Sequence, residues 1–102
     1  MFGIIPIWTS WEFEYHEELK LIRVTAKCQE TGKGNILMRV AVELIDIVIE
    51  RFDAVLYPEL LLNLNEPLHQ GTMVTFSFIF KSDEEVTKFK EFLMEEFFPR
   101  WH

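Results

Sequence analysis

One cysteine, three histidines and ten basic residues set the first limits on this 102-residue chain. The lone Cys28 excludes an internal disulfide and fits a reducing compartment. His16, His69 and His102 form no i,i+4 pair, and no paired-cysteine spacing exists. No metal site and no cofactor are expected. Lys and Arg are scattered without a run among seventeen acidic residues, giving a formal net charge of −7. Phosphate backbones call for a basic face, so nucleic acid is not the expected partner. Anionic membrane surfaces are disfavoured for the same reason. The apolar run Ile36–Ile49 is broken by Arg39, Glu43 and Asp46 and is too short to span a bilayer. The apolar stretch Met1–Trp8 lacks a basic n-region, a long h-region and a clear cleavage site, so no signal peptide is expected. The cytoplasm is the expected location. There is no internal repeat, low-complexity segment or linker, and one domain over residues 1–102 is the natural division.

What the chain has in quantity is apolar and aromatic side chains. Apolar residues make up 49% of it and aromatics 15%, with ten Phe and three Trp. A chain of this length buries roughly two-thirds of its extended surface, so a core is possible. A small domain has difficulty hiding every ring, and aromatics are favoured at interface cores.

The stretch Ile36–Asp53 is the most informative. Its polar residues Arg39, Glu43, Asp46, Glu50 and Asp53 follow spacings of 4, 3, 4 and 3, a helical stripe. Arg51 is the other polar position. A helix apolar around most of its circumference needs cover on most sides. That need points to a partner or to a second copy of the chain. Asn35, after the turn Glu30–Gly34, is placed to cap this helix. Pro58 disfavours helical geometry at Tyr57 and can open a short helix over Glu59–Leu64.

The remaining elements read from alternation. Trp11, Phe13 and Tyr15 share one strand face; Glu12, Glu14 and His16 share the other. Over Leu19–Gln29, Ile22, Val24, Ala26 and Cys28 oppose Arg23, Thr25 and Lys27. The two strands suit a hairpin turning near Glu17–Glu18, with glutamates across from Lys20, Arg23 or Lys27. Ile4–Thr9 suits an earlier edge strand limited by Pro6. Asn63–Gly71 reads as a loop. Thr72–Lys81 places Val74, Phe76, Phe78 and Phe80 on one face. Ser82 and Glu85 form a capping-box spacing, and Asp83 and Glu84 favour the positive end of the helix dipole. That helix runs to Phe97 or Phe98 with Val86, Phe89, Phe92 or Leu93, and Phe97 inward; Pro99 ends it. The fold class expected is α+β: an antiparallel sheet of three or four strands, with the long central helix and the C-terminal helix packed on one face.

No catalytic residue stands out. Gly32–Lys33–Gly34 lacks the extra glycines and the Lys-Ser or Lys-Thr of a phosphate loop and reads as a plain turn. His16 with Glu17 and Glu18 reads as a solvated hairpin turn rather than a metal site. His16 and Cys28 belong to opposite strand faces, so a thiol–imidazole pair points apart. Glu43, Asp46 and Glu50 read as a solvated helix edge rather than acid–base machinery. The expected function is a non-catalytic protein-interaction or self-associating domain, acting as an accessory, regulatory or inhibitory protein. Its expected partners are a second copy or another protein. Trp8, Trp11, Phe97, Phe98 and Trp101, near chain or helix ends, are the candidate anchors, ringed by acidic residues. The alternatives are a small enzyme using carboxylates with His16 or His69, and a binding domain for an apolar small molecule with a cavity beneath the long helix.

Overall fold

The computed structural model describes residue 5 and residues 8–28, 34–57 and 72–100. Strand β1 (Thr9–His16) turns through a single 3-10 turn, Glu17–Leu19, into β2 (Leu21–Cys28). Lys20 closes the turn in the left-handed region at φ 52°, and its N–H donates to the Glu17 carbonyl. Helix α1 (Gly34–Arg51) follows, then β3 (Ala54–Tyr57), β4 (Thr72–Phe80) and helix α2 (Asp83–Phe92). The sheet order is β1-β2-β4-β3, antiparallel throughout. This is the α+β architecture expected: a four-stranded sheet with both helices on one face.

The connectivity is a hairpin and a helix, twice. Exchanging the two units maps the sheet order onto itself, with β2 and β4 paired at the centre and β1 and β3 at the edges. No sequence repeat accompanies this structural one.

Strand alternation sets the layers. Val24, Ala26, Cys28, Val74, Phe76, Phe78 and Phe80 are buried toward the helices. Helix α1 adds Leu37, Val40, Ala41, Leu44 and Val48, positions that follow one side of a 3.6-residue period. Helix α2 adds Val86, Phe89 and Phe92. The first turn of α2 is held by Ser82, whose Oγ accepts from the Glu85 N–H at 3.3 Å. Such a cap is worth about 1 kcal/mol. The reciprocal arm of a capping box is replaced here: the Glu85 carboxylate lies 3.6 Å from Lys88 Nζ.

Three local expectations change. The long helix stops at Arg51, and Ala54–Tyr57 leaves it to become edge strand β3, paired with Ser77–Phe80. The Phe52 N–H still reaches back to the Val48 carbonyl, but the Ala54 N–H turns to Phe52, which ends the helical ladder. Asn35 lies inside the first turn, since α1 starts at Gly34. Beyond Phe92 the chain widens into a π-helical turn, Leu93–Phe97, and then a 3-10 turn, Phe98–Arg100. The Phe98 N–H donates to the Leu93 carbonyl, the five-residue reach of a π turn. This wider turn puts Phe92 and Phe97, five apart, both into the core. Of the expected strand Ile4–Thr9, Ile5 is fully buried, Trp8 is half-buried and Thr9 opens β1; Ile4, Pro6 and Ile7 lie outside the described residues, as do the short helix Glu59–Leu64 and the loop Asn63–Gly71.

Candidate interaction surface

The five aromatic residues singled out in the sequence fall in three situations. Trp11 is 6% exposed and Phe97 fully buried, their rings meeting edge to face at 5.2 Å. The Trp11 indole is satisfied internally, Nε1 donating to Thr9 Oγ1 at 2.9 Å. That bond lets a tryptophan enter the core without an orphaned donor. Trp8 and Phe98 are half-buried against the same core, and Phe98 meets Phe13 and Phe97 edge to face. Trp101 lies outside the described residues. The structure therefore brings Trp11, Phe97 and Phe98 together through Phe13, with Trp11 and Phe97 inside the chain's own core and Phe13 and Phe98 half-buried against it.

Phe89 is the hub of the packing. The rings of Phe13, Phe52, Phe78, Phe80 and Phe92 all lie 5.2–6.2 Å from it, tying α2 to edge strand β1, to central strand β4 and to the residue that follows α1. The aromatic surplus noted in the sequence is largely spent here.

The polar face of the hairpin matches its expected pairing. Glu14 stands opposite Arg23, 3.8 Å between charged groups, and Glu14 also lies 3.5 Å from His16 Nε2. Side chains here are about half exposed, so each pair contributes little. His16 faces Leu21 at one end of the hairpin and Cys28 faces Thr9 at the other, on the opposite side of the sheet. The thiol is buried and far from the imidazole. Among the described residues no group of three or more His, Cys, Asp or Glu is placed to hold a metal ion. His69 and the Gly32–Lys33 turn lie outside the described residues.

At the end of α1, Arg51 reaches across to the π-helical turn and bonds Glu96 in a two-pronged pair at 3.0 and 2.9 Å. The accepting carboxylate raises the guanidinium pKa above its ordinary value. The Arg51 carbon lies 5.1 Å from the Phe92 ring centre, a cation–π contact. The pair borders a shallow groove of about 260 Å³ that Lys88, Glu91 and Glu95 also line. Its lining is mostly charged, and it opens at the surface between α1 and α2 rather than beneath α1.

Among the described residues, a row of incompletely covered apolar side chains lies on α1. Met38, Val42, Ile45 and Ile49 follow spacings of 4, 3 and 4 along one flank. Met38 and Ile45 are half-buried against the core, while Val42 is 48% and Ile49 47% exposed. One residue after each comes the polar row Arg39, Glu43, Asp46 and Glu50; Arg39, Asp46 and Glu50 are exposed. Among the described residues no ion pair reaches Arg39, Asp46 or Glu50, and Arg39 and Glu43, four apart on this row, do not pair. Elsewhere among the described residues, Leu19 and Met94 stand exposed, as do Val55 and Tyr57 on one face of β3. Sequence reasoning found the polar row but not the apolar flank beside it, because only packing reveals which part of an all-round apolar helix stays uncovered.

Comparison with known protein families, characterised proteins and solved structures returned no match to this chain. No helix among the described residues is long and apolar enough to cross a membrane.

Proposed function

We propose that this chain is a non-catalytic interaction domain that works by self-association, in an accessory or regulatory capacity. One observation carries the reading: the outer flank of α1 keeps two branched apolar side chains, Val42 and Ile49, about half exposed beside half-buried Met38 and Ile45. A contiguous apolar stripe rimmed by charge is the usual composition of a protein contact. The acidic surround, which includes Glu43, Asp46 and Glu50, adds steering and discriminates against wrong partners. A cytoplasmic setting accompanies this reading, since the chain's single cysteine is buried and has no second cysteine with which to form an internal disulfide.

The carboxylate–histidine alternative has little to build on. Beside His16 stands one carboxylate, Glu14 at 3.5 Å, and the described residues hold no group of three or more His, Cys, Asp or Glu. The groove beside Arg51 and Glu96 would offer an apolar ligand a mostly charged lining.

Light scattering coupled to size exclusion, run over a range of protein concentrations, tests the proposal. The expected result is a mass rising toward twice the 12.2 kDa of one chain as concentration increases. A mass fixed at one chain up to about 1 mM, where association is worth about 4 kcal/mol or less, overturns self-association.

A further inference from the structure

The geometry points to a specific occupant for the α1 flank: the same flank of a second copy, lying antiparallel. This inference rests on the self-association proposed above and commits it to one surface and one orientation. The 4, 3, 4 spacing of Met38, Val42, Ile45 and Ile49 is that of alternating seam positions in a two-helix contact. An antiparallel pair centred between Val42 and Ile45 sets Val42 against Ile45 of the second copy and Met38 against its Ile49. All four layers are then filled by apolar side chains on both sides. The contact is isologous, so each pairing occurs twice.

Charge selects the orientation. Arg39 lies toward the N-terminal end of the polar row, and Asp46 and Glu50 lie toward its C-terminal end. Antiparallel packing sets Arg39 beside Asp46 of the second copy, within reach of its Glu50, and repeats the pairing by symmetry. All three side chains are exposed, and among the described residues none is engaged in an ion pair. In a parallel pair the acidic ends would lie side by side. The position on the other side of the seam is taken by Ala41 and Val48, both fully buried in their own domain. The polar row is therefore the one flank left to read the partner. Two arginine–carboxylate pairs also offset part of the repulsion between copies that each carry a formal charge of −7. A contact confined to one 18-residue helix, about 27 Å long, stays below the roughly 1,200 Å² of a permanent interface. The pair is thus a concentration-dependent one.

Sedimentation equilibrium of the full chain tests this with wild type, Val42→Glu, Arg39→Glu, Asp46→Arg and the exchange Arg39→Asp/Asp46→Arg. All changes fall at exposed positions, and circular dichroism melts verify that each variant folds. Val42→Glu is expected to abolish the dimer. Each single reversal is expected to weaken it about tenfold or more, through two symmetric pairs at once, and the exchange is expected to restore it to within about threefold. A wild-type dimer unmoved by Val42→Glu and by both reversals overturns the α1 pair while leaving self-association through another surface. An exchange variant as weak as the singles overturns the antiparallel orientation. A wild-type chain that stays monomeric overturns both this inference and the reading on which it rests.

Discussion

Replacing Phe89 with alanine is the sharpest test of how this domain holds together. Phe89 is fully buried and is the ring where α2, edge strand β1, central strand β4 and the end of α1 meet. Removing a buried phenylalanine costs about 3–5 kcal/mol, from lost burial and the cavity left behind. The ring sits between rigid neighbours from four elements, so the site has little freedom to collapse, and about 4 kcal/mol is the value to expect. Domains of this size hold only about 5–15 kcal/mol in total. At a urea slope of about 2 kcal/mol/M, the midpoint falls by about 2 M. Tryptophan emission reads the transition, since Trp11 lies against Phe97 in the same core. Phe89→Leu keeps most of the volume but loses the edge-to-face pairs, and should cost about 1–2 kcal/mol. Met94→Ala is the control: Met94 is 69% exposed, one turn further along, and should change stability by less than about 0.5 kcal/mol. If Phe89→Ala costs no more than Met94→Ala, α2 is not docked through this ring and the packing argument fails.

Two further outcomes follow from polar groups. Ser77 sits on central strand β4, fully buried, and its Oγ has no hydrogen-bond partner among the described residues. An orphaned buried hydroxyl is a cost, so Ser77→Ala should leave stability unchanged or raise it by up to about 1 kcal/mol in urea titration; a loss of that size would mean the hydroxyl is paired. The Tyr15 phenol pKa is raised above 10.0, first by desolvation and then by the charges of Asp83 and Glu17 and a hydrogen bond with Asp83, while Lys90 lies 4.1 Å over its ring. With the folded value above the unfolded one, its contribution to stability is complete below pH 10.0 and is lost as pH rises through the folded value. Phenolate absorbance in a Tyr57→Phe background should place the Tyr15 midpoint above 10.0, moving down in Asp83→Asn. A midpoint at or below 10.0 contradicts the assignment.

Much of the architecture was legible because it is written in short-range periodicity. Alternation fixed the inward faces of β1, β2 and β4, since successive strand side chains point to opposite sides. The stripe of Arg39, Asp46 and Glu50 identified α1 and its exposed side, and Ser82 marked the start of α2. Strand β3 was not legible: four residues beside a helical run and before Pro58 carry too little pattern, and pairing with Ser77–Phe80 is what makes them a strand. The π turn was also hidden, because its extra width shows in a backbone bond from Phe98 to Leu93 and not in residue type.

For the candidate surface the division is similar. The sequence alone determined that one long helix is too apolar for its neighbours, that the chain is acidic, and that it has neither a disulfide nor a spaced metal-ligand set. Only the tertiary structure decided where the shortage of cover falls. Trp11 and Phe97 lie 86 positions apart in sequence and become core because β1 and the π turn close over each other. Val42 and Ile49 are no less apolar than Leu44 and Val48, yet stand in the open because the sheet is wide enough to cover one side of α1. Burial is a property of which elements meet, and a sequence of this length fixes the faces before it fixes the meetings.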